Sequence, residues 1–381
     1  MRENNHTFRR EPQRRGPGAL VTLAVTLVSL GAVLGMLGLL LTSISGGTRA
    51  QQEQIRLAGM EKYDMYMTNA ISDALDGVVA IEKVYWLSDE DMIAPEPNPD
   101  NFGDTTNPAD LAPVIEAASD LLEGQELIFS TDVTIQEGSR IRYYLDETIL
   151  VITWKQKIER TVYTFSEVKI RHPSQFRRFL SGGEYGSGIL YTTTEMAKSV
   201  NAVTASSADY YSYRPFGNTV YAGTVKRSGD PLLDTCYINE NSDLLFVPRR
   251  TMYEQADVEK YVEENNIRFS LAFGPVLIQD GVPITSNSYS IGETYDYYSR
   301  AALCQQDSLH YMLVAANQGG VDMISFARHL KGLGVQNAYA LDGGQTATIV
   351  TGDERMNDVD YGGERDISDI IYFATALPSG G

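Results

Sequence analysis

The sequence predicts an α+β protein with a mixed, largely antiparallel sheet and packed helices, preceded by a single N-terminal transmembrane helix. Two observations carry this. Segments rich in β-branched and aromatic residues outnumber helical patterns after about residue 125 and show no regular βαβ alternation. Near the N-terminus, residues 19–41 form an uncharged apolar run long enough, at the helical rise, to cross the hydrocarbon core.

The run is read as a retained anchor because it exceeds the h-region of a signal peptide and Thr42-Ser43-Ile44-Ser45 is a poor cleavage site. Before it, Arg2, Arg9, Arg10, Arg14 and Arg15 outweigh Glu3 and Glu11, which keeps the N-terminus cytoplasmic and sends the rest across. The expectation is a single-pass type II protein of a cell membrane with an extracellular C-terminal domain. Its parts are a cytoplasmic tail at 1–17, the transmembrane helix at 18–44, a helical stalk and linker at 45–125, and the main domain at 126–381.

In the stalk, Met60, Tyr63, Met67, Ile71, Leu75 and Val78 recur at helical spacing, a stripe that suits packing on the domain or a homodimer through the stalk. Prolines at 95, 97, 99 and 108 then enforce an extended connector, followed by a short helix over 110–122. Strands are expected at 126–130, 141–144, 148–155, 161–170, 203–206, 218–226, 244–247, 269–277, 299–303 and 310–315. Thr192 and Glu195 have the spacing of a capping box that opens a helix running to about 200. A last helix over 322–333 stops at Gly334 and hands over to an apolar strand, 337–341.

The net charge of −19 argues against nucleic acid as a partner, and an anionic substrate needs arginines of its own inside a cleft. Cys236 and Cys304, both on the predicted external side, are equally readable as a disulfide or as two buried thiols. Two cysteines and the scattered His6, His172, His310 and His329 supply no zinc spacing, so no metal is assigned.

Four stretches join polar chemistry to strand ends. Residues 206–214 bring Asp209, Tyr210, Tyr211 and Arg214 together; Arg300 opens an apolar strand; Asp342 precedes the glycine pair Gly343-Gly344, with Gln345 and Thr346 next; and Glu364-Arg365 enters a last apolar strand. Tyrosines stack on sugar rings and arginines fork onto phosphate oxygens. Taken one at a time, each stretch reads equally well as a turn, a surface arginine or an adjacent-charge pair.

Taken in order, the stretches resemble the phosphodiester glycosidase family over roughly residues 140–378, in the form of a bacterial membrane-anchored member. The family's Asn-Gly-Asp-Tyr-Tyr run with its following Arg appears as Ser207-Ala208-Asp209-Tyr210-Tyr211 with Arg214, and its Phe-Gly-Pro strand as Phe273-Gly274-Pro275. The Pro-Arg-Thr-Ala strand appears as Ser299-Arg300-Ala301-Ala302, the Leu-Asp-Gly-Gly turn as Leu341-Asp342-Gly343-Gly344, and the terminal element as Gly362-Gly363-Glu364-Arg365. Ser207 and Ala208 replace Asn and Gly, Gln345 and Thr346 replace a third glycine and a serine, and Ala316-Asn317-Gln318 stands for Asp-Gly-Arg.

The resemblance implies hydrolysis of a sugar-1-phosphodiester bond in a cell-envelope glycan or exopolysaccharide, with a carbohydrate or sugar-phosphate glycan as partner. It implies catalytic roles for Asp209, Asp342 and Glu364. It implies substrate or phosphate contacts from Arg214, Arg300, Arg365, Tyr210, Tyr211, Asn317, Gly343, Gly344, Gln345 and Thr346. No cofactor is required, although a divalent cation near Asp342 is compatible. The alternative is a non-catalytic glycan-binding or exopolysaccharide assembly protein on the same fold.

Overall fold

The computed structural model describes residues 87, 93–209, 211–285 and 295–377. The expected tail, transmembrane helix and helical stripe lie outside the described residues, as does Tyr210. No helix among the described residues is long and apolar enough to cross a membrane. Contacts divide the chain between Val84 and Tyr85, and every described residue belongs to the unit Tyr85–Gly381.

A nine-stranded sheet forms the centre of this unit, in the order Phe102–Thr105, Ile141–Leu145, Ile149–Ile158, Thr161–Ile170, His310–Val321, Tyr298–Asp307, Asn337–Leu341, Val276–Gln279, Val282–Pro283. A five-stranded sheet has the order Glu354–Arg355, Ile349–Thr351, Thr204–Ser207, Asp369–Phe373, Phe176–Leu180. A three-stranded sheet, Leu244–Val247, Thr235–Asn239, Ile267–Leu271, and the hairpin Thr219–Tyr221 with Thr224–Arg227 complete the β-structure among the described residues. Every strand pairing is antiparallel, so the parallel component of the expected mixed sheet is absent among the described residues.

The central strands read as unbroken apolar runs because both their faces are covered. Ile152, Trp154, Cys304, Met312 and Val314 face one core with Phe326 and Leu330 of the helix Met323–Gly332. Their chain neighbours Val151, Leu303 and Leu313 face a second core shared with Ile349, Ile371 and Phe373 of the five-stranded sheet and with Cys236 and Ile238. These are the two largest cores; smaller clusters lie under the helix Thr193–Ser199, under the helix Gln255–Glu264 and around Leu233. Both cysteines are free and buried.

Residues 102–122, expected to lie in the stalk and linker, are part of this unit. Phe102–Thr105 pairs with Ile141–Leu145 at the edge of the large sheet, and Leu111, Ala118, Leu121 and Leu122 enter the first core. The strand expected at 126–130 is a strap without strand pairing. The amides of Ile128 and Phe129 donate instead to the buried Glu167 carboxylate, at 2.6 and 2.8 Å. The strand expected at 218–226 is folded into a hairpin at Ala222-Gly223, both in the left-handed region. That expected at 269–277 is interrupted at Phe273-Gly274-Pro275, where the Gly274-Pro275 bond is cis.

Candidate active site

Two strand ends, one from each of the larger sheets, meet where the chemistry sits. The strand Thr204–Ser207 runs out into Ala208-Asp209, and Asn337–Leu341 runs out into Asp342-Gly343-Gly344. The Asp342 amide donates to the Ala208 carbonyl at 3.0 Å, which holds the two ends together. Gly343 is needed for this approach: a Cβ there would lie 2.6 Å from the Ser299 carbonyl oxygen of the neighbouring strand.

An open cleft of about 510 Å³ lies over this junction, bordered by Phe273, Tyr298, Arg300, Met323 and Asp342 with its two glycines. Asp342 is the carboxylate in its wall. Its Oδ2 lies 3.2 Å from the Arg365 guanidinium, and burial pushes its carboxyl up to about 6 against the lowering pull of Arg365, Thr346 and Arg214. Arg214 stacks over the ring of Phe273, 4.6 Å from its centroid. Arg300, on the neighbouring strand and also lining the cleft, donates to the carbonyls of Val321 and Asp296 at 3.1 and 2.9 Å, which fixes its guanidinium.

Asp209 lies beneath the cleft instead of lining it. Its side chain is wholly buried, and Oδ2 accepts from the Ala272 amide at 2.8 Å while Oδ1 has no hydrogen-bond partner. Arg178, also wholly buried, sits between Asp209 at 3.4 Å and Asp369 at 2.7 Å, and donates to the Ser270 carbonyl. Two carboxylates share one guanidinium, so the Asp369 carboxyl is held above the usual range by burial, with Asp209 adding to the rise. Tyr211 packs on this group, its centroid 5.6 Å from the Arg178 guanidinium carbon, and burial pushes its hydroxyl up to about 12.

Arg178 and Asp369 were not among the residues singled out from the sequence. The signal available was a double arginine, Arg177-Arg178, in a segment with no visible period. Only the pairing of Phe176–Leu180 with Asp369–Phe373 turns it inward.

The other expected residues are placed as follows. Glu364 accepts from the Thr194 amide and hydroxyl at 3.0 and 2.5 Å, so it serves the first turn of the helix Thr193–Ser199. Gln345 donates to the Gly363 carbonyl at 2.8 Å, and Thr346 donates to the Gly343 carbonyl at 2.8 Å. Both brace the walls of the cleft. Asn317 is buried and accepts from Asn357 at 2.9 Å. Among the described residues no group of three or more His, Cys, Asp or Glu is arranged to hold a metal ion.

Fold and cleft together define an antiparallel, layered α+β protein with a carboxylate set among arginines at a strand-end junction. Residues 197–374 match the model of the family described as phosphodiester glycosidase. No curated protein gives a match. Similar solved structures, at low identity, include the following three. A hypothetical protein from Synechocystis is 14% identical with a TM-score of 0.48, and the alignment spans 64% of this chain and 64% of that one. The catalytic domain of zebrafish N-acetylglucosamine-1-phosphodiester alpha-N-acetylglucosaminidase, auto-inhibited by its pro-peptide, is 14% identical with a TM-score of 0.49, over 67% of this chain and 92% of that one. An exported protein from Burkholderia pseudomallei K96243 is 12% identical with a TM-score of 0.40, over 56% and 74%.

Proposed function

We propose that this protein hydrolyses the bond between a sugar and phosphate in a phosphodiester, acting on a cell-envelope glycan or exopolysaccharide. In this reading the apolar run at 18–44 holds it at the outer face of a membrane. The observation that carries the proposal is the placing of Asp342 in the cleft wall, 3.2 Å from Arg365 and within the field of Arg214, with Arg300 lining the same cleft. A carboxylate alone would repel a phosphodiester; the guanidinium groups around it reverse the sign of the site.

A phosphomonoester is already a fair leaving group, so the site's tasks are to neutralise its charge and to support oxocarbenium character at the sugar carbon. The arginines take the phosphate oxygens. The bond from the sugar's anomeric carbon to the bridging oxygen breaks, that oxygen leaves with the phosphate, and the hydroxyl of a water bonds to the anomeric carbon. The proton released by the water passes to the Asp342 carboxylate, whose raised pKa suits it to accept and return a proton near neutral pH. Asp209, with Arg178 and Asp369 beneath, acts as a positioning group for the Asp342 turn. Glu364, engaged by Thr194, is given no part in the chemistry.

The test is release of phosphomonoester from a sugar-1-phosphodiester by the full-length protein in detergent, with Asp342→Asn beside it. A loss of about 10²-fold or more is expected. Undiminished turnover in the variant would remove Asp342 from the mechanism. Binding without turnover in the wild type would return the non-catalytic glycan-binding reading.

A further inference from the structure

Beside the cleft, the chain exposes a tyrosine under two local penalties. Tyr361 is 94% exposed, the most exposed large apolar side chain among the described residues, and its backbone lies in the left-handed region at φ 59°, ψ 14°. A bulky residue rarely adopts that conformation, and a ring held in water returns nothing to folding. The turn that carries it is fixed at both ends to the wall of the cleft. The Asp360 carboxylate accepts from the Ser299 hydroxyl at 2.9 Å, and the Gly363 carbonyl accepts from Gln345 at 2.8 Å.

The backbone beside this ring is uncrowded. A Cβ added at Gly344, Gly362 or Gly363 would meet nothing within 4 Å, so a ledge floored by glycines runs from the cleft toward Tyr361. Tyr298 is 43% exposed and borders the cleft itself, and Tyr297 beside it is half exposed over the Arg160 guanidinium.

We propose that Tyr361 is a stacking platform for a sugar ring beyond the one whose phosphate bond is broken, so that the substrate is a glycan chain and not a small sugar phosphodiester. This rests on the hydrolase reading only for the direction of cleavage; the platform itself is a binding claim. An aromatic face carried on a tethered turn beside an open ledge matches the apolar face of a pyranose, and its continuity with Asp342 and Arg365 selects a chain that carries phosphate.

Synthetic oligomers of N-acetylglucosamine 1-phosphate, from one to six units, separate the possibilities when both binding by calorimetry and turnover are measured on the full-length protein. Wild type should gain about tenfold in affinity, and in kcat/KM, between one unit and four. Tyr361→Ala should lose that gain while matching wild type on the single unit, and Tyr361→Trp should keep it. Length-dependent binding that vanishes in Tyr361→Ala without any turnover would sustain the platform and sink only the hydrolase reading. Affinity that does not rise with length, no binding of any oligomer, or an equal loss at every length in Tyr361→Ala would overturn the platform.

Discussion

The Arg178 guanidinium lies 2.7 Å from the Asp369 carboxylate with both side chains wholly buried, and this ion pair joins the strands Phe176–Leu180 and Asp369–Phe373. Asp209 shares the same guanidinium. Removing the cation leaves two buried carboxylates uncompensated, so Arg178→Met should destabilise the protein by about 3–5 kcal/mol. The loss should be smaller at pH 4 than at pH 8, because protonation of the Asp369 carboxyl, already raised by burial, relieves it. Urea denaturation at both pH values checks this, and equal losses would show that charge is not the cause.

Asp342 carries the opposite sign to a paired surface carboxylate. Its folded pKa, about 6, lies above the ordinary value of 3.8. Between those values the folded state holds the proton that the unfolded state has lost, so the stability it contributes is full below pH 4 and is lost as pH rises through 6. Asp342→Asn should therefore leave the melting temperature unchanged near pH 3.5 and raise it at pH 8, while activity falls. A melting temperature lowered at pH 8 would contradict the burial argument.

Arg365 holds the Asp342 carboxyl down, so Arg365→Ala should move the acid limb of the pH–rate profile to higher pH and raise KM for a phosphodiester. Stability should change little, since Arg365 is partly exposed. An unmoved acid limb would show that the titrating group is not Asp342.

Gly343→Ala places a methyl group 2.6 Å from the Ser299 carbonyl and should cost about 1–3 kcal/mol, with activity falling as the strand ends part. Gly363→Ala, where the added atom meets nothing within 4 Å, is the matched control and should be neutral in stability. Thermal melts of the pair settle the comparison.

Cys236 and Cys304 are both free, buried, and pushed up by burial. Neither should react with a thiol reagent until the protein is unfolded, when both should react. Labelling followed by mass measurement, in buffer and in denaturant, checks this; rapid native labelling would show that one of them opens to solvent.

Local patterns survived the passage from sequence to structure where local forces set them. The strand expected at 161–170 is Thr161–Ile170, and Thr192 and Glu195 form the reciprocal capping box ahead of the helix Thr193–Ser199. The helix Gln255–Glu264 was missed because only Val258 and Val262 are buried, too few to make a periodic stripe. The strap at 126–130 was misread because its amides are satisfied by a side chain, Glu167, that lies far along the chain.

The same division holds for the site. Asp342 with its glycine pair, Arg214, Arg300 and Arg365 were legible only through the order of their stretches along the chain, since each stretch alone reads equally well as a turn or a surface charge. The sequence by itself determined which side chains were available, the predominance of antiparallel strands and the apolar faces that bury them. Tertiary structure alone decided that Asp209 is buried under the cleft, that Glu364 serves a helix end, and that Arg178 and Asp369 pair beneath. Whether a charge faces solvent, a ligand or another charge depends on strand register between distant segments, and one residue of register reverses the face on which every side chain stands.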